Sequence, residues 1–203
     1  MANRRSTARD LAQIAIFAAL IAALGLPGTL YLGGSAVPIT LQSLGIMLTG
    51  GILGARKGFL AVAVFLLLTT AGLPLLAGGR GGVGVWAGAS AGYLVGFLVG
   101  VVVIGLLTER ILPGYPLWKG IAVNLFGGVI VVYLFGVPWA ALRTNWGGAL
   151  SSMVTFLPGD VLKAVVAALV VKQVHRAYPG LIEPASTVNR SAPPSPPAEK
   201  VSP

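Results

Sequence analysis

The sequence predicts an all-α integral membrane protein of six transmembrane helices with both termini in the cytoplasm, and three observations carry that reading. Of its 203 residues, 56% are hydrophobic and only 9% charged, against roughly 25% charged in soluble domains. Charge that sparse cannot coat a water-facing surface, and the mean hydropathy of +0.88 agrees. Apolar stretches also recur at about the 17 to 25 residues that a spanning helix requires. Finally, the basic residues divide very unevenly between the connections.

Hydropathy and breakers place the spans at about 8–26, 39–55, 58–76, 89–107, 117–137 and 158–174. Between them lie GLPGTLYLGGSAVP, the short ARKG, LLAGGRGGVGVWAG, TERILPGYP and PWAALRTNWGGALSS, all punctuated by Gly or Pro. With the N-terminus inside, Arg4, Arg5, Arg9, Arg56, Lys57, Arg110, Lys119, Lys172, Arg176, Arg190 and Lys200 are cytoplasmic. Only Arg80 and Arg143 fall outside, and Lys163 lies within a span. Positive loops are retained on the cytoplasmic side, so this split fixes an even number of spans and both termini inside.

The N-terminal run has a basic start and an apolar core ending in small residues, which also fits a signal peptide. Its length and the spans that follow favour a first membrane helix. Residues 1–178 are therefore read as one membrane domain. From 179 the composition turns to Pro, Ser and Ala without apolar periodicity, which predicts a disordered cytoplasmic tail over 179–203.

Composition excludes several functions. There is no Cys, hence no disulfide framework, thiolate metal site or Cys nucleophile. His175 is the single histidine, which removes a His-cluster metal site and leaves Ser151 and Ser152 without a base at their depth. The net charge of +9 belongs to loops between spans rather than to a basic face, so no nucleic-acid partner is expected. GRGGVG at 79–84 fits the glycine pattern of a dinucleotide loop but has no βαβ unit around it. No P-loop occurs, so the chain cannot itself draw work from ATP.

Small residues repeat every fourth position in two spans: Ala15, Ala19 and Ala23 in the first, with Ala18 and Ala22 beside them, and Gly92, Gly96 and Gly100 in the fourth. Such faces let helix backbones approach in lipid. The glycine face is expected to pack within the bundle; the alanine face suits either the bundle or a partner protein. Trp86, Trp118, Trp139 and Trp146 stand at span edges, as aromatic belts require.

The candidate site begins with FLPGDVLK. Asp160 and Lys163 lie inside an apolar run, where a charge costs about 3 kcal/mol even on the mild insertion scale, which makes intramembrane ionisable groups functional candidates. At i,i+3 they share a helix face, so an intrahelical ion pair is the plain alternative. Pro158 suits the first turn of a helix, which would put Asp160 near the positive end of its dipole. Gln42, Arg80 and Tyr93 are expected near the same outer level. Tyr133 is a further polar group on the fifth span. Asn124 lies deeper and is expected to bond between helices.

VPITLQSLGIMLTGG, GLP at 72–74, GRGGVGVWAGASAGYLVGF and FLPGDVLK, in that order and spacing, resemble the BioY family, the biotin-specific S components of energy-coupling-factor (ECF) transporters. The resemblance covers about residues 8–178. It implies a six-helix S-component fold that captures biotin near the outer face of the cytoplasmic membrane. It also implies a transmembrane T component and two cytoplasmic ATPase subunits as partners. The ATPases would use the ATP; this chain would hold no cofactor and have no enzyme activity. The resemblance further implies that a small-residue face on the first helix, here Ala15, Ala19 and Ala23, meets the T component. One departure stands at 88–94: the family pattern G-P-T-G-G-Y-L is Gly88-Ala89-Ser90-Ala91-Gly92-Tyr93-Leu94.

With biotin as ligand, Asp160 is expected to accept from a ureido N–H and Lys163 to donate to the ureido oxygen, charge-assisted bonds being stronger than neutral ones. Gln42 or Tyr93 would add neutral bonds, and Arg80 would take the valerate carboxylate. A rival pairs Lys163 with the carboxylate. The glycine-bearing loops 25–38 and 75–88 are expected to close over the ligand. The competing functions are an S component for another vitamin, a self-sufficient proton-coupled carrier with Asp160 as proton site, and a membrane enzyme using Asp160 as base. The last lacks a second acid, a metal cluster or a nucleophile at that depth.

Overall fold

A computed structural model of the protein describes residues 2–26 and 40–182, with side chains from residue 7 onward. The connection beyond Leu26, up to Ile39, and the tail beyond Ile182 lie outside the described residues. The helices are α1 (Ala2–Ala23), α2 (Gln42–Thr70), α3 (Ala91–Ile111), α4 (Leu117–Leu125), α5 (Val132–Arg143) and α6 (Trp146–Ala177). A π-helical stretch, Phe126–Val131, joins α4 and α5 into one rod, Leu117–Arg143. Among the described residues, four elements are long and apolar enough to cross a membrane: α2, α3, the α4–α5 rod and α6. The protein is thus all-helical and multi-pass; among the described residues the only bridge between extended segments is Leu76 with Arg80.

Helix α2 is not a straight rod. Gly54, at φ 77, breaks it, and only glycine adopts that conformation freely. A straight helix of 29 residues would be about 43 Å long. Yet the Gln42 side chain at its head donates to the carbonyl of Leu75, just past its tail, at 2.9 Å. Gly58 also lies against the backbone of Thr49 and Gly50. The arms 42–53 and 55–70 therefore fold back on each other; the first falls within the predicted span 39–55, and the second begins three residues before the predicted span 58–76 and ends inside it. The turn needs no separate loop, because ARKG continues as helix.

Helix α3 packs through its glycine face, as expected. A Cβ on Gly92 would collide with the Phe135 carbonyl and Trp139, one on Gly96 would sit 2.8 Å from the Val132 carbonyl oxygen, and one on Gly100 would sit 2.6 Å from that of Gly127. This close approach brings α3 against the α4–α5 rod, and with it Tyr93 toward Tyr133.

Helix α6 begins about a dozen residues before the predicted 158. Most of the predicted loop 138–152 is helical, leaving only Thr144 and Asn145 between α5 and α6. Asn145 starts the helix, its side-chain oxygen accepting from the Gly148 N–H at 2.7 Å, a strong N-cap. Pro158 consequently stands inside α6. Asp160 is about four turns from the N-terminus, too far for the helix dipole to offset its charge.

Two sets of residues mark the two ends of the bundle. Gly25, Gln42 and Leu75 meet at one end. At the other, Gly105 of α3 abuts Gly54 and Ala55, and Lys57 bonds Gln13 of α1 at 2.8 Å and Asp10 at 3.4 Å. Asn124 does not bond between helices by its amide nitrogen: that group donates to the Gly120 carbonyl of its own helix at 2.9 Å. Burial pushes the Tyr115 hydroxyl, beside Asn124, up to about 12.

Candidate ligand-binding site

All five residues expected at the site, Gln42, Arg80, Tyr93, Asp160 and Lys163, line one pocket at the Gln42 end of the bundle. Three helices and one connection supply them. Helix α6 brings Asp160 and Lys163, the head of α2 brings Gln42 and Ser43, α3 brings Tyr93, and the segment between α2 and α3 brings Arg80 and Ser90. Tyr133 enters from α5, while Leu94, Phe97 and Phe156 provide apolar wall. Asn124 is not among them.

The ion pair is formed: Lys163 Nζ lies 2.8 Å from Asp160 Oδ1. Lys163 also donates to the Thr40 carbonyl at 2.7 Å and to Ser43 Oγ at 3.2 Å. An ammonium has three N–H donors, so all of them are engaged. Asp160 accepts from Ser43 Oγ at 3.2 Å and, through Oδ2, from the Tyr133 hydroxyl at 2.5 Å. These partners take the place of the helix dipole in stabilising the Asp160 carboxylate. Tyr133 is held in turn by an edge-on contact with Tyr93, centroids 6.2 Å apart at 82°.

Arg80 faces no acid among the described residues. Its Nε donates to the Ala77 carbonyl at 3.2 Å and one terminal nitrogen donates to Ser90 Oγ at 3.1 Å, so a guanidinium with five N–H donors keeps capacity for an anion. Ser90 is one of the three small residues at which the chain departs from the family pattern. The hydroxyl it supplies holds Arg80. Tyr93 is 7% exposed and its hydroxyl has no hydrogen-bond partner among the described residues.

Gln42 lines the pocket and also ties its wall together. Its amide nitrogen donates to the Leu75 carbonyl and its oxygen accepts from the Ala77 N–H at 3.2 Å. Both ends of the amide tie the Arg80 segment to α2, leaving one N–H and one oxygen lone pair for a ligand. That segment is secured elsewhere too: the Gly82 N–H donates to the Thr69 carbonyl at 2.7 Å, Trp86 Nε1 to Thr70 Oγ1 at 2.9 Å, and Trp139 Nε1 to the Gly88 carbonyl at 3.0 Å. These ties anchor the segment as one wall of the pocket; of the two loops expected to close over the ligand, 25–38 lies beyond Leu26 outside the described residues.

A membrane-crossing helical bundle with one charged, partly enclosed pocket at the helix ends has the build of a receptor or carrier for a small polar ligand. Comparison with known proteins narrows this. The model of the BioY family matches residues 1–180. The biotin transporter BioY of Rhizobium etli is 45% identical over 178 residues, 84% of this chain and 95% of that one. The biotin transporter BioY of Rhodobacter capsulatus is 42% identical over 187 residues, 86% of this chain and 97% of that one. The crystal structure of the S-component for biotin from an ECF-type ABC transporter superposes with a TM-score of 0.79 at 32% identity, covering 85% of this chain and 93% of that chain. The chain belongs to the BioY family.

Proposed function

We propose that the protein is the biotin-binding S component of an ECF-type transporter, taking up biotin across the cytoplasmic membrane and catalysing no reaction itself. The observation that carries this reading is the pocket: an ion pair and, among the described residues, an unpartnered tyrosine hydroxyl and an arginine without an acid partner, in a chain similar to a solved S-component for biotin. Biotin offers a ureido group with two N–H donors and an acceptor oxygen, a thiophane ring and a valerate carboxylate. Asp160 retains acceptor capacity for a ureido N–H. Lys163 reaches the ureido oxygen by giving up Ser43, its longest bond. Tyr93 supplies a neutral hydrogen bond, Phe97 and Phe156 enclose the ring, and Arg80 takes the carboxylate. Gln42 holds the segment that presents Arg80.

The assembly and the topology belong to the same proposal. The protein spans the membrane six times with both termini cytoplasmic. Two features support this: the fold-back of α2 at Gly54, and the gathering of Lys57, Arg56 and Arg110 around that turn while Arg80 stands at the pocket end. Residues 1–178 form the membrane domain; the tail expected over 179–203 lies beyond Ile182 outside the described residues, and Ile182 itself is buried against the bundle beside Gly54. The partners are a T component and two ATPase subunits, which hydrolyse the ATP. Ala15, Ala19 and Ala23 are exposed on α1 while Ala18 is buried, which supports a partner-facing role for the first three.

Calorimetric titration of the purified protein with biotin tests the reading. Binding is expected for the native chain, weakened at least tenfold by Asp160→Asn and by Arg80→Ala, with no competition from thiamine or riboflavin. Folded, monodisperse protein that ignores biotin would overturn it. A carboxylate-blocked biotin ester separates the two head-group assignments: the effect of Arg80→Ala should vanish with the ester, whereas that of Lys163→Ala should persist.

A further inference from the structure

The break in α2 lies at the opposite end from the pocket and leaves two backbone groups that an unbroken helix would pair with each other. These are the N–H of Ala55 and the carbonyl of Gly51, related as i and i−4. A side chain from a different helix takes each of them. Glu109 Oε1, on α3, accepts from the Ala55 N–H at 2.9 Å. His175 Nε2, on α6, lies 2.8 Å from the Gly51 carbonyl oxygen, which requires the proton on that nitrogen. Glycines allow both approaches. A Cβ on Gly105, one turn before Glu109, would collide with Ala55, and one on Gly51 would come within 2.6 Å of Val171, one turn before His175.

We propose that Glu109 and His175 are positioning residues for the pocket: by holding the turn at Gly54 they set the angle between the arms of α2, and so the spacing between Arg80 and the Asp160–Lys163 pair. The first arm leads up to Ser43 and Thr40, which bond Lys163. The second leads through Thr70 to the segment bearing Arg80. The arms are about 18 and 24 Å long, so a change of 10° at the turn moves their far ends by about 3–4 Å. Hydrogen bonds in the pocket tolerate shifts of only a few tenths of an ångström. Gln42 joins the arms at the pocket end, and Glu109 and His175 clamp them at the other.

The inference rests on the reading that one ligand spans Arg80 and the ion pair, and its test separates the two. The chain contains no Cys, so spin labels can be placed on single cysteines at Leu41 and Val83, which are 40% and 73% exposed. Pulsed electron paramagnetic resonance then reads the spacing without any ligand. Glu109→Ala and His175→Ala are expected to shift or broaden that distance by several ångströms. Glu109→Gln and His175→Gln, which keep an acceptor and a donor, should restore it. In calorimetry, the ratio of affinities for biotin and its methyl ester should fall about tenfold in the alanine variants and recover in the glutamine ones. An unchanged distance, or equal loss of both ligands with only a lower melting temperature, would overturn the inference. If an alanine variant does not fold, Glu109→Asp replaces it, with the same expected distance change. If no form binds biotin, the ligand reading fails and the spin-label distances still decide the hinge.

Discussion

Tyr93 presents a buried hydroxyl to the pocket with no bond of its own, so the side chain bears a desolvation cost that a ligand can offset. Tyr93→Phe should therefore separate stability from binding: the melting temperature of the ligand-free protein holds or rises, while biotin binding weakens about three- to tenfold, the worth of one neutral hydrogen bond. Both quantities come from one sample, by thermal melt and by titration. The ion pair behaves differently. Its side chains are 11% and 9% exposed, and removing one partner of a buried pair leaves an uncompensated charge at a cost of about 3–5 kcal/mol. Lys163→Met should lower the melting temperature more than the double variant Asp160→Asn with Lys163→Met, although neither binds biotin well. Asp160, Lys163 and Arg80 were legible in the sequence because charge is conspicuous in an apolar chain. Thr40 was not, since it contributes a backbone carbonyl, which every residue has. Ser43 and Ser90 were hidden for a related reason: a lone hydroxyl is compatible with any depth. Gln42 was found, but which groups its amide would satisfy depended on the fold-back of α2.

At the level of helices, glycine has two opposite meanings that spacing partly reveals. Gly96 belongs to a four-residue repeat and lies against the Val132 backbone, so a Cβ there has nowhere to go. Gly96→Leu should abolish recovery of monodisperse protein, or at the least cost several kcal/mol through overpacking. Gly159 belongs to no such repeat, has open space around its Cβ position and lies inside α6. Gly159→Ala should stabilise the protein by about 0.5–1 kcal/mol, read as a raised melting temperature with biotin affinity unchanged. The same distinction explains the helix boundaries. The sequence marked α3 well, because its apolar run is unbroken. It placed the start of α6 too late, because WGGALSS is weakly apolar and Pro158 resembles a first-turn proline. The Asn145 cap and packing against the bundle carried the helix through both. The turn in α2 was correctly located, but as a loop; that one glycine suffices depended on Glu109 and His175 from distant helices.

Across the whole molecule, the exposed side of α1 and the absence of any P-loop bear on the same question, namely where the work of transport comes from. Ala15, Ala19 and Ala23 form a smooth exposed stripe, suited to close helix approach in lipid, whereas the pocket lies among α2, α3, α5 and α6 and takes nothing from that stripe. A bulky residue on the stripe should therefore leave capture intact and block transport. In vesicles containing the proposed T component and ATPase subunits, Ala19→Trp is expected to bind biotin as the native chain does but to lose ATP-driven uptake. Vesicles holding this chain alone should bind biotin without accumulating it, at any imposed pH gradient. A proton-coupled carrier would give the reverse: uptake by the chain alone, dependent on Asp160 and indifferent to Ala19. These outcomes are mutually exclusive because a carrier driven through Asp160 needs no partner on α1, whereas a receptor without a nucleotide site can be driven only through contact with the subunits that have one.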